Sequence, residues 1–332
     1  LMWGVPPPVL MIISRTPLRV SFCGGGTDLD WFSNSEPSGG MVTSAAMDRH
    51  IHVTVNRRFD DLVRVSYSKM ELVDDFEHIE HELVRESMRM TGVTSGVEIT
   101  TIADIPSRGT GLGSSSSVTV GLLNALHAYA GRDPSPTQLA EEACEIDTGI
   151  LGQPIGPQDQ YAASFGGINS ISFSQGGTEV TPLDIPLEIR NRISEEFTLV
   201  FTGMTRSASA VLGEDPEDEE DKISRLREIR GHANVARGML ESGDLSGLGG
   251  LLKTTWELKR GISASVSRDD IDEIYNQIMG KGATGAKLLG AGGGGFFLVH
   301  GNAEIRESLG ELGLLMIPLG IDEHGSTIIH RG

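Results

Sequence analysis

Positive charge is scarce in this chain. Its 332 residues carry 27 lysines and arginines against 46 aspartates and glutamates, a net charge of −19, and no basic cluster stands out. That balance excludes a nucleic acid or an anionic membrane as partner, since either is held by Lys and Arg neutralising its phosphates. Cysteine is scarcer still. Cys23 and Cys144 make no disulfide framework and suit a reducing cytoplasm. No uninterrupted apolar run is long enough to cross a bilayer. The first ten residues, with three consecutive prolines, lack the basic start and apolar core of a secretion signal. Residues 1–10 are expected to be a disordered leader, with the folded chain starting near Met11.

Familiar catalytic signatures are also missing. There is no G-x-x-x-x-G-K-[ST] phosphate loop. Asp48-Arg49-His50 scrambles the protein-kinase catalytic triplet, and no Asp-Phe-Gly follows. No G-x-S-x-G elbow presents a serine nucleophile. His50 and His52 sit two apart, but no Cys, Asp or Glu nearby completes a plausible metal set. His78 and His81 are expected on a solvated helix face.

What is present centres on residues 106–126, where Pro106, Arg108, Gly109, Gly111, Leu112 and Gly113 lead into Ser114-Ser115-Ser116-Ser117 and an apolar stretch. Val118, Leu122 and Leu126 recur at i, i+4 and i+8, the spacing of an amphipathic helix. The serines ahead of them are natural N-caps. Glycines at 109, 111 and 113 let the backbone turn sharply and approach a ligand. Free amides and the positive end of the helix dipole then face one point, an anion site suited to a nucleotide polyphosphate, with a serine hydroxyl free to meet its magnesium.

Taken in order, 11–22 reads as a strand interrupted at Pro17, ending in the turn Gly24-Gly25-Gly26-Thr27-Asp28. A second strand falls within 41–57, with 62–67 as its expected hairpin partner. Residues 76–92 read as helix, and 97–102 as the strand that feeds the central loop. Ser135, Pro136 and Gln138 form a capping box for the next helix, whose buried stripe is Leu139, Ala143, Ile146 and Ile150. Further strands are expected at 168–174 and 197–202. An acidic run at 213–221 reads as a solvated segment, and helical patterns cover 219–241, 244–260 and 269–280. The glycine run 290–295 formally matches G-x-G-x-x-G, yet Phe296-Phe297-Leu298-Val299 after it is a strand rather than a helix. Close approach to a ligand or to the first loop is the expected reason for so many glycines. A domain boundary is expected near residue 190, giving units 11–190 and 191–332.

Three segments in this order resemble the GHMP kinase superfamily: Thr16-Pro17-Leu18-Arg19-Val20 with Gly24-Gly25-Gly26-Thr27-Asp28, the loop at 106–117, and 287–297. Within it the chain looks most like the D-glycero-D-manno-heptose 7-phosphate kinases. That group also carries Gly-Ser-Gln-Asp-Gln, which here reads Gly156-Pro157-Gln158-Asp159-Gln160. The resemblance implies an α+β fold in two domains: an N-terminal half like domain 2 of ribosomal protein S5 and a ferredoxin-like C-terminal half, with a cleft between.

It also implies roles. Asp159 matches the catalytic aspartate that accepts the hydroxyl proton, and Arg19 matches the cation paired with it. Pro106, Arg108, Gly109, Gly111, Leu112, Gly113, Ser114, Ser115 and Ser116 match the ATP loop. Ser115 matches the magnesium-ligating hydroxyl and Asp147 the acidic ligand, with Glu145 as an alternative on another helical face. Gly25, Gly26, Thr27, Asp28, Gln158 and Gly293 fall at the sugar site. Gly25-Gly26 stands where galactokinases have Glu-His, which removes two sugar contacts and opens room for a larger sugar. A second phosphate on the substrate needs a basic anchor, and the candidates are Arg206, Lys259 and Arg260. The expected protein is a cytoplasmic, magnesium- and ATP-dependent sugar kinase, monomer or homodimer, acting on a heptose 7-phosphate. A kinase of an unphosphorylated sugar such as fucose, and a non-catalytic regulatory protein, stay open beside it.

Overall fold

The computed structural model describes residues 11–105, 109–205, 219–263 and 265–332. Two long strands form its spine. β1 (Met11–Cys23) and β2 (Gly40–Arg57) pair antiparallel from Met11 opposite Asn56 to Cys23 opposite Thr43. Alternating apolar residues such as Ile51, Val53 and Val55 bury one face of this ribbon. Pro17 does not interrupt β1. Its missing N–H is absorbed by a register shift between Pro17 and Leu18, and the strand runs on.

The far half of β2 pairs with β5 (Val97–Ala103) and its near half with β6 (Ile168–Ser174), which pairs in turn with β7 (Gly177–Pro182). β3 (Val63–Ser66) therefore finds the edge of β2 occupied. It runs parallel to β5 and makes its hairpin with β4 (Met70–Val73), not with β2 as expected from sequence. β12 (Thr327–Arg331), the last strand, returns to the free edge of β1. A second sheet has the order β11 (Met316–Pro318), β8 (Phe197–Phe201), β10 (Phe296–His300), β9 (Gly285–Leu288), all antiparallel. The architecture is α+β, as anticipated. We keep residue 190 as a proposed boundary between the strands of the two sheets, with β12 crossing back.

The helices, in chain order, are α1 (Asp30–Ser33), α2 (Glu82–Thr91), α3 (Ser114–Tyr129), α4 (Pro136–Cys144), α5 (Gln158–Phe165), α6 (Leu187–Glu196), α7 (Glu219–Ser242), α8 (Leu245–Arg260), α9 (Asp269–Gly280) and α10 (Ala303–Gly310). The helix expected over 76–92 is a single tight turn, Phe76–His78, followed by α2. α6 and β7 carried no sequence signal strong enough to be expected. α3 was expected to be amphipathic and is instead buried around its circumference, with only Ser115 and Tyr129 less than fully covered. It packs on β1 and β2 on one side and on α2 and α5 on others. α7 lies across β1 and β2, so its Leu240, with Leu245 and Leu248 of α8, shares one core with Phe22, Phe197 and Leu298 from both sheets. A smaller core gathers Trp256, Tyr275 and Phe297. No helix among the described residues is long and apolar enough to cross a membrane.

The two glycine loops meet where the sheets join. Phe296 N–H donates to the Thr110 carbonyl at 3.2 Å, and Gly295 N–H to the Met204 carbonyl at 2.8 Å. A Cβ on Gly290 would fall 2.5 Å from the Gly111 Cα, and Gly290 holds φ +69°, the left-handed region. Approach to the first loop was one of two reasons expected for the second glycine run, and it is what this contact shows. Gly290→Ala combines a strained φ with a backbone clash, and is expected to lower unfolding stability by about 2–4 kcal/mol. Urea denaturation checks this; an unchanged midpoint would mean that the loops separate freely.

Candidate active site

Residues from both loops, from β1 and from the starts of α1, α3, α5 and α7 line one cleft of about 730 Å3. Its floor is the N-terminus of α3. Gly113 takes the N-cap position with φ +72°, and no side chain caps the helix. The serines expected to cap it do other things. Ser117 donates to the Pro17 carbonyl at 2.9 Å, Ser114 meets the Thr110 hydroxyl at 3.3 Å, and Ser115 is exposed toward the cleft. The first-turn amides and the positive end of a 16-residue helix are thus left for an anion.

Beside this terminus Arg19 and Asp159 form a two-pronged pair. Arg19 Nε donates to Asp159 Oδ1 at 2.5 Å and an Nη to Oδ2 at 2.8 Å, while its other Nη holds the Gly111 carbonyl at 2.6 Å. Arg19 is buried and Asp159 is 18% exposed, so the carboxylate is the partner that reaches the cleft. Asp159 lies in the first turn of α5, where the dipole favours a negative charge. Glycine at 113 leaves the pair room: a Cβ there would lie 3.1 Å from Asp159 Oδ2 and 3.2 Å from Arg19 Cγ, tighter than ordinary contact. A carboxylate fixed in this way can take a proton from a hydroxyl brought against it.

Two further carboxylates are buried in the walls. Asp28 accepts from Gly26 N–H at 3.0 Å and at both oxygens from the Gln158 side-chain amide at 3.0 Å. Burial, and then the like charge of Asp159, push its pKa up to about 6. The other Gln158 amide atom, Oε1, is buried with no partner. Asp147 sits in a π-helical turn, Glu145–Ile150, that continues α4. It accepts from Thr119 Oγ1 at 2.8 Å and Gln160 Nε2 at 2.7 Å, and burial raises its pKa to about 6 as well. Glu145, the alternative, is exposed and does not line the cleft.

Of the other residues singled out from sequence, Gly25, Gly26, Gly109, Gly111, Ser114, Ser116 and Lys259 line the cleft with these groups. Three that were expected there do not. Thr27 is buried with its hydroxyl turned back to the carbonyls of Gly24 and Met41, Gly293 is tied to the Val266 carbonyl, and Leu112 is core. Arg260 turns away to Asp272 at 2.6 Å. Pro106, Arg108 and Arg206 lie outside the described residues, as do the expected leader and most of the acidic run. Lys259 donates to the carbonyls of Leu288 and Gly290, and burial holds its pKa well below the usual lysine range.

Sequence reasoning missed several lining residues. Lys287, buried beneath the cleft, donates to the Ser21 carbonyl at 2.6 Å, and burial lowers its pKa to about 8. His81 faces the cleft with its ring edge-on to Tyr67 at 4.5 Å, rather than sitting on a solvated helix. Trp31 and Lys222 line it as well. Lys287 had a readable signal, a lone lysine at the head of the second glycine run. The others had none.

Comparison with known proteins bears on this site. The family description "GHMP kinases N terminal domain" matches residues 78–167. The D-glycero-alpha-D-manno-heptose 7-phosphate kinase of Campylobacter jejuni is 31% identical over 86% of this chain and 88% of its own length. The bifunctional fucokinase/GDP-fucose pyrophosphorylase of Arabidopsis thaliana is 24% identical over 85% of this chain and 29% of that protein. The crystal structure of a D-glycero-D-manno-heptose 1-phosphate kinase from Bacteroides thetaiotaomicron superposes with a TM-score of 0.80 at 23% identity, over 96% of this chain and 99% of that one.

Asp28 supplies a test of the electrostatics. Its folded pKa of about 6 lies above the ordinary 3.8, so the fold binds the proton more tightly than the unfolded chain does. Stability therefore falls as pH rises between those values, and the full cost is present above about pH 6. Asp28→Asn removes the charge and lets Gln158 Oε1 accept from the new amide. The ligand-free variant is expected to be more stable than the wild type by on the order of 1–3 kcal/mol at about pH 7.5, with the difference vanishing near about pH 4. Denaturant melts at the two pH values check this. A difference that ignores pH would refute the buried-charge account.

Proposed function

The chain belongs to the GHMP kinase family, and from that membership we propose that it transfers the γ-phosphoryl group of ATP to the anomeric hydroxyl of D-glycero-D-manno-heptose 7-phosphate, giving the 1,7-bisphosphate. The observation that carries this reading is the Arg19–Asp159 pair set beside the uncapped N-terminus of α3 in a single cleft. A phosphoryl acceptor and a polyphosphate can meet there. The likeness to the Campylobacter jejuni enzyme over nearly the whole chain supports the heptose phosphate as acceptor. The glycines at 25 and 26 leave the sugar side open.

In the proposed reaction the triphosphate lies against the amides of the 109–116 loop, with its charge toward the α3 dipole. Asp159 accepts the proton as the sugar C1 oxygen forms its bond to the γ-phosphorus and the bond to the ADP oxygen breaks. Arg19 keeps the Asp159 carboxylate aimed, and through the Gly111 carbonyl it ties that aim to the phosphate loop. Asp28 and Gln158 hold sugar hydroxyls, and the buried Gln158 Oε1 is an acceptor awaiting such a donor. Most of the rate enhancement then comes from positioning and electrostatics.

The site suits magnesium. Ser115 offers an exposed hydroxyl and Asp147 a carboxylate in the same cleft, hard oxygen donors of the kind this ion prefers. Gln160 Oε1 beside Asp147 is buried without a partner, an acceptor suited to an ion-bound water. Magnesium held by Ser115 and Asp147 would neutralise phosphate charge. With ATP as donor, we place the reaction in the cytoplasm.

ADP release across a panel of heptose 7-phosphate, mannose, fucose, galactose and a sugar-free blank tests the assignment, with phosphorus NMR on any product. The heptose phosphate is expected to give turnover and a new anomeric phosphate signal. Turnover on a free sugar alone would overturn the substrate, and ATP binding without turnover would favour a regulatory protein. In the same assay Asp159→Asn is expected to lower kcat by about 100- to 10,000-fold while the KM for ATP stays within about twofold. Loss of both together would show that Asp159 serves nucleotide binding.

Ser115→Ala is expected to raise the half-saturating magnesium concentration by about tenfold or more. A magnesium titration that superposes on the wild type would remove Ser115 from the metal site.

A further inference from the structure

We propose that Lys222, seated over the ring of Trp31 at the outer end of the cleft, takes the second, non-reacting phosphate of the substrate. This rests on the phosphosugar reading above and names the residue that would distinguish a sugar phosphate from a free sugar.

Five lysines and arginines are among the described residues that line the cleft: Arg19, Lys69, Lys222, Lys259 and Lys287. Four are committed to oxygen partners. Arg19 holds Asp159 and the Gly111 carbonyl, Lys69 pairs with Glu80 at 3.6 Å, Lys259 holds the carbonyls of Leu288 and Gly290, and Lys287 holds that of Ser21. Lys222 differs. Its Nζ stands 4.7 Å from the centroid of the Trp31 ring, and among the described residues no carboxylate pairs with it. An aromatic face steadies an ammonium while leaving its N–H groups able to donate. Among the described residues, a phosphate can therefore engage Lys222 without first breaking an ion pair.

Position gives the second reason. Asp159 adjoins Gln158 in sequence, Gln158 grips Asp28, and Trp31 is three residues beyond Asp28. On the facing wall Leu226 packs over Gly26, where a Cβ would lie 3.4 Å from Leu226 Cδ2. Lys222 is one turn earlier on the same face of α7, about 6 Å along the helix axis. A sugar held at Asp28 with its C1 hydroxyl at Asp159 thus directs its far end outward to Lys222. Lys259 and Lys287 instead lie near enough to Arg19 for each to feel its charge. That leaves Lys222 for the distant phosphate. In a chain of net charge −19, an anionic substrate needs such a local cation on its entry side.

The test compares heptose 7-phosphate with unphosphorylated D-glycero-D-manno-heptose in the wild type, Lys222→Met and Lys222→Arg. Losing one charge-assisted phosphate contact is expected to lower the preference for the 7-phosphate, as a ratio of kcat/KM values, by about 10- to 100-fold in Lys222→Met. The loss should appear in KM for the phosphosugar, leave KM for ATP in place, and be largely restored in Lys222→Arg. A ratio that does not move, or an equal loss on both sugars, overturns the anchor while the proposed reaction stands. A wild type that phosphorylates the free heptose and rejects the 7-phosphate overturns the substrate reading, and the anchor with it.

Discussion

Backbone meeting backbone at Gly111 and Gly290 is the constraint from which the cleft follows. A Cβ on Gly111 would lie 2.6 Å from the Leu289 carbonyl, so no side chain can come between the loops. Arg19 then reaches the Gly111 carbonyl from β1 and holds Asp159 on α5 with its remaining donors. One guanidinium thereby links the central strand, the 109–113 loop and the carboxylate of Asp159 in the cleft. Its donors lie in a rigid plane, so a shift of any one partner shifts the others.

Charge is distributed against the overall balance of the molecule. In a chain of net charge −19, the cleft gathers Arg19, Lys259 and Lys287 close enough to feel one another's charge. Burial lowers the pKa of both lysines and raises those of Asp28 and Asp147. The fold thus holds these groups against the cost of burying their charges. Stability given up at a site is a familiar consequence of preorganising it.

The π-helical turn at 145–150 belongs to the same design. A regular continuation of α4 would place Asp147 elsewhere on the helix circumference, because each residue advances by a smaller angle in the wider turn. Here the turn brings Asp147 against Thr119 of α3 and Gln160 of α5, which hold it. Glu145, two residues earlier, is left exposed to solvent.

Local chemistry settled a good deal by itself. The glycine spacing at 109–113, the serines after it and the apolar repeat beyond were enough to expect α3 and an anion at its start, because loop and helix are contiguous. Most strands and the helices α7, α8 and α9 were legible from periodicity for the same reason, while the α+β class came with the family resemblance. Which residues face the cleft was decided by long-range pairing. β3 joins β5 because β2 is already occupied. Thr27 points into the core although Asp28 beside it faces the cleft. Arg260 turns to Asp272 while Lys259 stays inside. Trp31, Lys222 and His81 come from segments far apart in the chain with no shared pattern, so only the packing of one unit on another brings them to the same space. Sequence fixes the local turn and helix geometry through φ, ψ and side-chain chemistry. The direction in which a given side chain points is set by tertiary neighbours, from Asp272, 12 residues from Arg260, to Ser21, 266 residues from Lys287.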